Sequence, residues 1–171
     1  MKKFLLIIAV LFVFGCDHDD DDFHFFEICP NYQNCLSEET VVFIENYLNE
    51  SIAYAESHTK SEAVDYFNAN NYNEEYYVFV DELDGTMIAN AVRPQDVGKN
   101  FYNYVDTETG RNPVQDIIKT ATFSYPESGW VTYFYFEPLT NEIEQKFALV
   151  RLIKDAEDGD YIIGTGAYVR K

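Results

Sequence analysis

The dipeptide Asp84-Gly85 stands between two short apolar runs, Tyr77-Val78-Phe79-Val80 and Met87-Ile88-Ala89. Glycine in second place supplies the positive φ that a tight hairpin turn needs, so the chain doubles back here as two antiparallel strands. A Val97-Gly98-Lys99-Asn100 turn follows. Near the C-terminus the glycine-punctuated run Tyr161-Ile162-Ile163-Gly164-Thr165-Gly166-Ala167-Tyr168 is placed to pair beside the hairpin. Residues 130–136, 147–153 and 161–169 read as three further strands. The expectation is a small antiparallel sheet with one aromatic-lined face.

Helices flank these strands. Ser37, followed by Glu38 and Glu39, predicts a helix start, because a serine hydroxyl caps free N–H groups and early carboxylates complement the helix dipole. Val41, Ile44, Leu48, Ile52 and Ala55 then recur at spacings of three and four, widened by Phe43, Tyr47 and Tyr54. That apolar stripe fits packing on the chain's own sheet, with pairing to a second helix as the alternative. Thr59-Lys60-Ser61-Glu62 fits a capping box and predicts a short helix over residues 61–68. Asn112-Pro113 predicts the cap and first position of a third helix, whose face Val114, Ile117, Ile118 and Ala121 ends near Thr122. Helix, helix, two strands, helix, three strands is an α+β order.

The N-terminus reads as a targeting segment. Lys2 and Lys3 precede an apolar run from Phe4 to Phe14 that ends at Gly15-Cys16, the pattern of a secretory signal peptide over residues 1–15. The apolar run is about 11 residues, too short for the roughly 20 a membrane-spanning helix needs. Val13-Phe14-Gly15-Cys16 resembles a bacterial lipobox, which implies a lipoprotein with lipid on Cys16 as its membrane anchor. Asp17-His18-Asp19-Asp20-Asp21-Asp22 reads as a solvated tether. Flexible carboxylates without a turn glycine make a poor cation site, even with His18 and His24 at hand. The tether also resembles the acidic export motif of surface lipoproteins, whereas Asp after the lipid cysteine retains lipoproteins at the inner membrane in other bacteria. The localisation implied is extracytoplasmic, on the periplasmic side or the cell surface. Cys29 and Cys35 remain, and an even remainder in an oxidising compartment predicts a disulfide. Residues 16–36 thus form an acidic tether with a Cys29-Cys35 loop, and 37–171 the folded domain.

Twelve Lys and Arg stand against thirty Asp and Glu, a formal charge of −18. Nucleic acid is excluded as a partner, since phosphate binding needs a basic footprint, and an anionic bilayer surface would repel the chain. No nucleophile elbow, metal-ligand spacing or phosphate-cradling glycine loop is found, and Gly164-Thr165-Gly166 lies inside a strand, where glycine marks close backbone approach. The chain is read as a non-enzyme with no cofactor and no metal.

Strand alternation sorts the binding candidates. Tyr77, Phe79 and Asp81 share one face, Val78 and Val80 the other; Val131, Tyr133 and Tyr135 lie opposite Trp130, Thr132, Phe134 and Phe136. Plain apolar groups suit a helix-covered face, and tyrosines suit the face where hydroxyls reach a ligand or water. The ligand-binding candidates are Tyr77, Phe79, Asn90, Arg93, Tyr133, Tyr135 and Lys146. Arg93 offers a planar bidentate donor for an anion and Lys146 a point charge; for Arg93 an ordinary surface role is equally open. Trp130 reads as core packing rather than a stacking platform. Asp81 is either a holder for a ligand amine or an exposed turn carboxylate.

The motifs together resemble a single Cache domain, an extracellular sensory module of PAS-like fold. The resemblance rests on Tyr77-Val78-Phe79-Val80 before Asp84-Gly85-Thr86, on Val97-Gly98-Lys99-Asn100, on Gly129-Trp130-Val131-Thr132-Tyr133, on Pro138 and Lys146, and on Ile163-Gly164-Thr165-Gly166-Ala167-Tyr168. Ala63 and Phe67-Asn68 also match. It implies a long N-terminal helix on a five- or six-stranded antiparallel sheet, with a small-molecule pocket on the other face for an organic acid, amine or amino acid. Two positions depart from the family pattern: Asn90-Ala91 replaces a common His-Pro, and Leu149 replaces a common Tyr. Both changes remove polar groups that could fix a carboxylate. The function implied is ligand-binding sensory signal transduction through a membrane-protein partner. The alternatives are a protein-interaction adaptor with a vestigial pocket, or a solute-binding lipoprotein.

Overall fold

A computed structural model of the protein describes residues 31–69, 72–73, 76–155 and 157–169. The signal peptide, Cys16, the acidic run and Cys29 lie outside the described residues. A single turn, α1 (Tyr32–Cys35), precedes α2 (Glu38–Ser57), the long helix. Ser37 caps α2 as the sequence predicts, its Oγ accepting from the Thr40 N–H at 3.1 Å. α3 (Lys60–Ala69) starts at a capping box: Thr59 N–H donates to Glu62 at 3.0 Å and Glu62 N–H returns to Thr59 Oγ1 at 3.3 Å.

β1 (Tyr72–Asn73) and β2 (Tyr76–Tyr77) form a small ribbon. The main sheet holds β3 (Phe79–Glu82), β4 (Met87–Asn90), β5 (Gly129–Phe136), β6 (Ile143–Ile153) and β7 (Tyr161–Tyr168), in the order β4-β3-β7-β6-β5. All neighbours are antiparallel. The β3–β4 turn closes on Gly85, whose φ of +87° only glycine adopts freely, and where a Cβ would also meet the Tyr102 backbone nitrogen at 2.9 Å. As expected, β7 lies beside β3, pairing Phe79 with Gly164 and Asp81 with Ile162.

The two sheet faces carry separate cores. Ile44, Leu48, Ile52 and Ala55 of α2, with Ala63 and Phe67 of α3, pack on Val78, Val80, Leu149, Ile153 and Ile163; Trp130 packs against this cluster as predicted. On the other face α4 (Pro113–Ser124) sets Ile117 and Ala121 on Tyr77, Phe79, Val131, Tyr133, Ala148, Val150 and Ile162. The strand parity read from the sequence sorts these residues as found.

Three differences go beyond a one-residue shift at an element's end. β6 begins at Ile143, because Ile143-Glu144-Gln145-Lys146 pairs rung for rung with 133–136 around a tight turn closed by Glu137 N–H to Glu142 O at 2.9 Å. The polar run Glu144-Gln145-Lys146 hid a strand whose pairing is with β5. α4 continues to Ser124, and Asn112 precedes it without a side-chain cap, its amide donating instead to Tyr104 O at 3.2 Å. Val78 separates β2 from β3, since Tyr77 pairs with Tyr72 rather than continuing the main ladder.

Candidate functional site

On the α4 face the sheet carries a cavity of about 30 Å³. Its floor follows from glycine. A Cβ on Gly164 would lie 2.3 Å from Phe79 Cζ, so only a bare backbone lets that ring lie across β7. Tyr77 and Asp81, two residues either side of Phe79, face the same way, joined by Tyr133 and Tyr135 from β5 and by Lys146, which sits opposite both Tyr133 and Tyr168. Met87 and Asn90 of β4, Phe101 and Tyr104 of the connection after it, and Pro113, Val114 and Ile117 of α4 complete the lining.

The 91–112 connection is fastened over this space at both ends. Asn90 Oδ1 accepts the Val92 and Arg93 N–H groups at 3.2 and 3.1 Å, and Asn68 pins β4 from behind through Ile88 O at 2.9 Å. Asp96, buried, accepts from Arg93 Nε at 2.6 Å and Lys99 Nζ at 3.0 Å, with Tyr135 Oη at 3.4 Å. Those two cations hold its carboxyl below the usual range against burial. Asp106 accepts the Phe134 N–H at 3.0 Å, tying the connection to the edge strand β5 while capping its own turn through Glu108 N–H at 2.8 Å.

Lys146 is fully buried and donates to Tyr77 Oη at 2.9 Å. Tyr168 Oη donates to Phe136 O at 2.7 Å, so in the 3.0 Å contact between the two phenols Tyr77 is the donor. The protons therefore run in one order, Lys146 to Tyr77 to Tyr168 to Phe136 O. The ammonium also lies 4.0 Å from the Tyr77 ring centre, 5.1 Å from Phe79 and 5.3 Å from Tyr168, within cation–π range. Burial pulls Lys146 down to about 7, opposed by Asp81. Burial pushes Asp81 up to about 7, opposed by Lys146. The two feel each other yet form no ion pair, and no described residue donates a hydrogen bond to the Asp81 carboxylate. The buried Tyr133 hydroxyl likewise has no partner among the described residues, and desolvation holds it well above the usual phenol range.

Of the candidates named from the sequence, the structure gathers Tyr77, Phe79, Asn90, Tyr133, Tyr135 and Lys146 around one cavity. Arg93 stands apart. Its guanidinium is taken up by Asp96 and lies over Phe136 at 4.6 Å, behind Tyr135 rather than in the lining. Asp81 is no exposed turn carboxylate: pairing of β3 with β7 through Glu82 covers it, leaving it 2% exposed. Its strand parity with Tyr77 and Phe79 was the signal that pointed inward. Phe101, Tyr104 and the α4 residues had no such signal, because loop packing carries no period.

Among the described residues no cluster of three His, Cys, Asp or Glu is placed to hold a metal ion, and no helix is long and apolar enough to cross a membrane.

A family model described as Cache domain matches residues 35–171. Solved structures share the fold. A methyl-accepting chemotaxis protein from Vibrio parahaemolyticus is 18% identical, with a TM-score of 0.60 over 77% of this chain and 86% of that one. A periplasmic sensor domain of a chemotaxis protein is 21% identical, with a TM-score of 0.57 over 77% and 94%. A Cache chemosensory domain solved for its carboxylic acid recognition is 22% identical, with a TM-score of 0.58 over 78% and 93%. No curated protein matches the chain.

Proposed function

The chain belongs to the Cache domain family, and from that premise we propose that it is a lipid-anchored extracytoplasmic sensor whose Lys146 cavity binds a small molecule and reports occupancy to a membrane-protein partner. Cache domains are extracellular small-molecule sensor modules, a role that is not enzymatic. The observation that carries the reading is the cavity itself. A buried lysine, a directed hydroxyl relay and a buried carboxylate without a donor converge on one space, and buried polar groups are otherwise nearly always satisfied. Tyr77, Phe79, Asn90, Tyr133, Tyr135 and Lys146 are the ligand-contacting residues in this proposal, and Arg93 acts through Asp96 and Tyr135.

The anchor belongs to the same proposal: Lys2-Lys3, the short apolar run and Gly15-Cys16 support export and lipid on Cys16. The Cys29-Cys35 disulfide does too, supported by a bonded rather than free sulfur at Cys35. Intact mass of the membrane-extracted chain tests the anchor, since Cys16→Ala must remove a diacylglyceryl adduct, and thiol alkylation before and after reduction tests the disulfide.

The binding test is a thermal-shift screen of the full-length chain in mild detergent against organic acids, amines, amino acids and purines. A ligand at 100 times its Kd adds about 2.7 kcal/mol. A shift lost in Lys146→Met supports the sensor. A folded protein that no compound shifts would favour the adaptor reading, which the small volume supports: about 30 Å³ leaves much of the space to the protein's own aromatic rings.

A further inference from the structure

The Asp81 carboxylate sits in a cavity wall opposite to the function the wall otherwise suggests. Lys146 and the Tyr133 hydroxyl are hydrogen-bond donors lining the space, while the Asn90 amide nitrogen donates to Met87 Sδ at 3.5 Å. Alone they would describe a site for a small anion. Asp81 is the one carboxylate in the lining, 2% exposed, and it takes no hydrogen bond from any described residue. An ionised carboxylate buried without donors is costly, and it would repel a second carboxylate placed beside it. Arg93 cannot offset it, being committed to Asp96 behind Tyr135.

Volume narrows the choice. The space is small, about 30 Å³, so the occupant is a compact molecule.

We infer that the cavity selects a compact molecule of no net charge that donates hydrogen bonds to Asp81 at one end and accepts them from Lys146 and Tyr133 at the other, the chemistry of a small amide, a urea or a short zwitterion. Asp81 is then a ligand-binding residue beside those named from the sequence. A carbonyl or carboxylate oxygen meets the protons of Lys146 that Tyr77 does not take, and an N–H group meets Asp81. Each buried group receives the partner it lacks, without either charge being left over. The raised proton affinity of Asp81 and the lowered affinity of Lys146 agree with two groups desolvated separately rather than paired with each other. Burying a matched donor and acceptor together strengthens both hydrogen bonds, whereas an anion would satisfy Lys146 and worsen Asp81. The inference rests on the sensor reading of the same cavity.

The test is calorimetric and thermal-shift titration of the full-length chain with acetamide, urea, glycine, acetate and methylammonium. These probes share a size and differ in charge and in donor and acceptor content. At least one of acetamide, urea and glycine should bind at least tenfold more tightly than acetate and methylammonium. Asp81→Asn should invert that order, weakening the net-neutral probe by tenfold or more and strengthening acetate, because Lys146 is then unopposed. Tighter binding among acetamide, urea and glycine separates the amide from the zwitterion within the class. Acetate as the tightest wild-type ligand, or an unchanged order in Asp81→Asn, overturns the inference and leaves the sensor reading standing. No binding by acetamide, urea or glycine also overturns it, and the broader screen then decides the sensor reading separately. Should Asp81→Asn fail to fold, the wild-type order alone decides.

Discussion

Gly164 and Gly166 lie two residues apart on the same face of β7, yet alanine at the two positions should fail differently. At Gly164 the new Cβ would stand 2.3 Å from Phe79 Cζ, with 2.8 and 2.9 Å to the ring's Cε atoms. Ordinary carbon contacts are about 3.5–4.0 Å, so the ring must withdraw by somewhat over 1 Å. Phe79 borders the cavity of about 30 Å³, and the ring can give way into it. Gly164→Ala should therefore cost about 1–3 kcal/mol, the range for overpacking, leave the fold intact and abolish ligand binding by filling the site. At Gly166 the Cβ would stand 2.1 Å from the Phe147 carbonyl oxygen and 2.7 Å from Ala148 Cα, which is backbone of the paired strand. No rotation relieves that contact, so the β6–β7 ladder must part and the cost should exceed about 3 kcal/mol. At roughly 2–4 °C per kcal/mol for a chain of this size, the midpoint falls by about 2–12 °C in Gly164→Ala and by more in Gly166→Ala. Far-ultraviolet circular dichroism follows the melts, and the near-ultraviolet tyrosine signal reports packing around the cavity. Equal losses in the two variants, or the larger loss at Gly164, would refute the claim that a yielding ring and an unyielding backbone set the difference.

Thr165 Oγ1 is buried in the helix-side core with no hydrogen-bond partner among the described residues. Thr165→Val keeps the shape and removes the orphan hydroxyl, so the melting midpoint should rise, by about 1 kcal/mol of stability; a fall would mean the hydroxyl is satisfied. Asp106→Ala removes the acceptor of the Phe134 N–H and of the Glu108 N–H. The loss should be about 2–3 kcal/mol, and hydrogen exchange at the Phe134 amide should speed up; unchanged exchange there would show that the connection is not held at this point. The Asp81 pKa is raised from 3.8 to about 7 in the folded chain, so the stability this group contributes is complete below its unfolded value and is lost as pH rises through about 7. Lys146, lowered from 10.5 to about 7, acts in the opposite sense: its contribution is complete above its unfolded value and is lost as pH falls through about 7. The other titratable groups of the lining, Tyr77, Tyr133, Tyr135 and Tyr104, are all shifted upward and stay neutral across this window. Asp81→Asn should match the wild type near pH 4 and exceed it by a margin that widens up to pH 7; a constant margin in urea-unfolding curves would contradict the burial of an ionisable Asp81.

How much of this could be read from the sequence depends on which residues carry a period. Tyr77, Phe79 and Asp81 alternate with Val78 and Val80, and a pleated strand converts that alternation directly into two faces. Tyr133 and Tyr135 followed by the same logic, whereas Lys146 stood out as a scarce cation and through the family resemblance. Helix starts at Ser37 and Thr59 were legible because capping chemistry is local. The strand at 143–146 was not, because Glu144, Gln145 and Lys146 are polar and their pairing to β5 is a tertiary fact. Phe101, Tyr104 and Asp106 come from an aperiodic connection, whose position over the sheet is set by partners distant in sequence, such as the Phe134 N–H. Arg93 shows the reverse error. An arginine in an acidic chain looks like an anion receptor, but Asp96 three residues on claims its guanidinium.

The charge of the whole chain bears on what the cavity can capture. A formal charge of −18 surrounds the domain with a field that depletes anions near its surface and is screened only beyond about 8 Å at physiological salt. A carboxylate must cross that field to reach a single buried ammonium, and once inside it meets Asp81 at close range. Attraction by Lys146 therefore acts only after two unfavourable steps. A molecule of no net charge feels neither penalty. Its binding energy comes entirely from short-range hydrogen bonds to groups already desolvated and already fixed, Lys146 by Tyr77 and the three rings around it, Asp81 by the β3–β7 ladder. The acidity that excludes nucleic acid as a partner and the buried carboxylate that complicates an anion site thus argue in the same direction, toward selection by hydrogen-bond pattern rather than by charge.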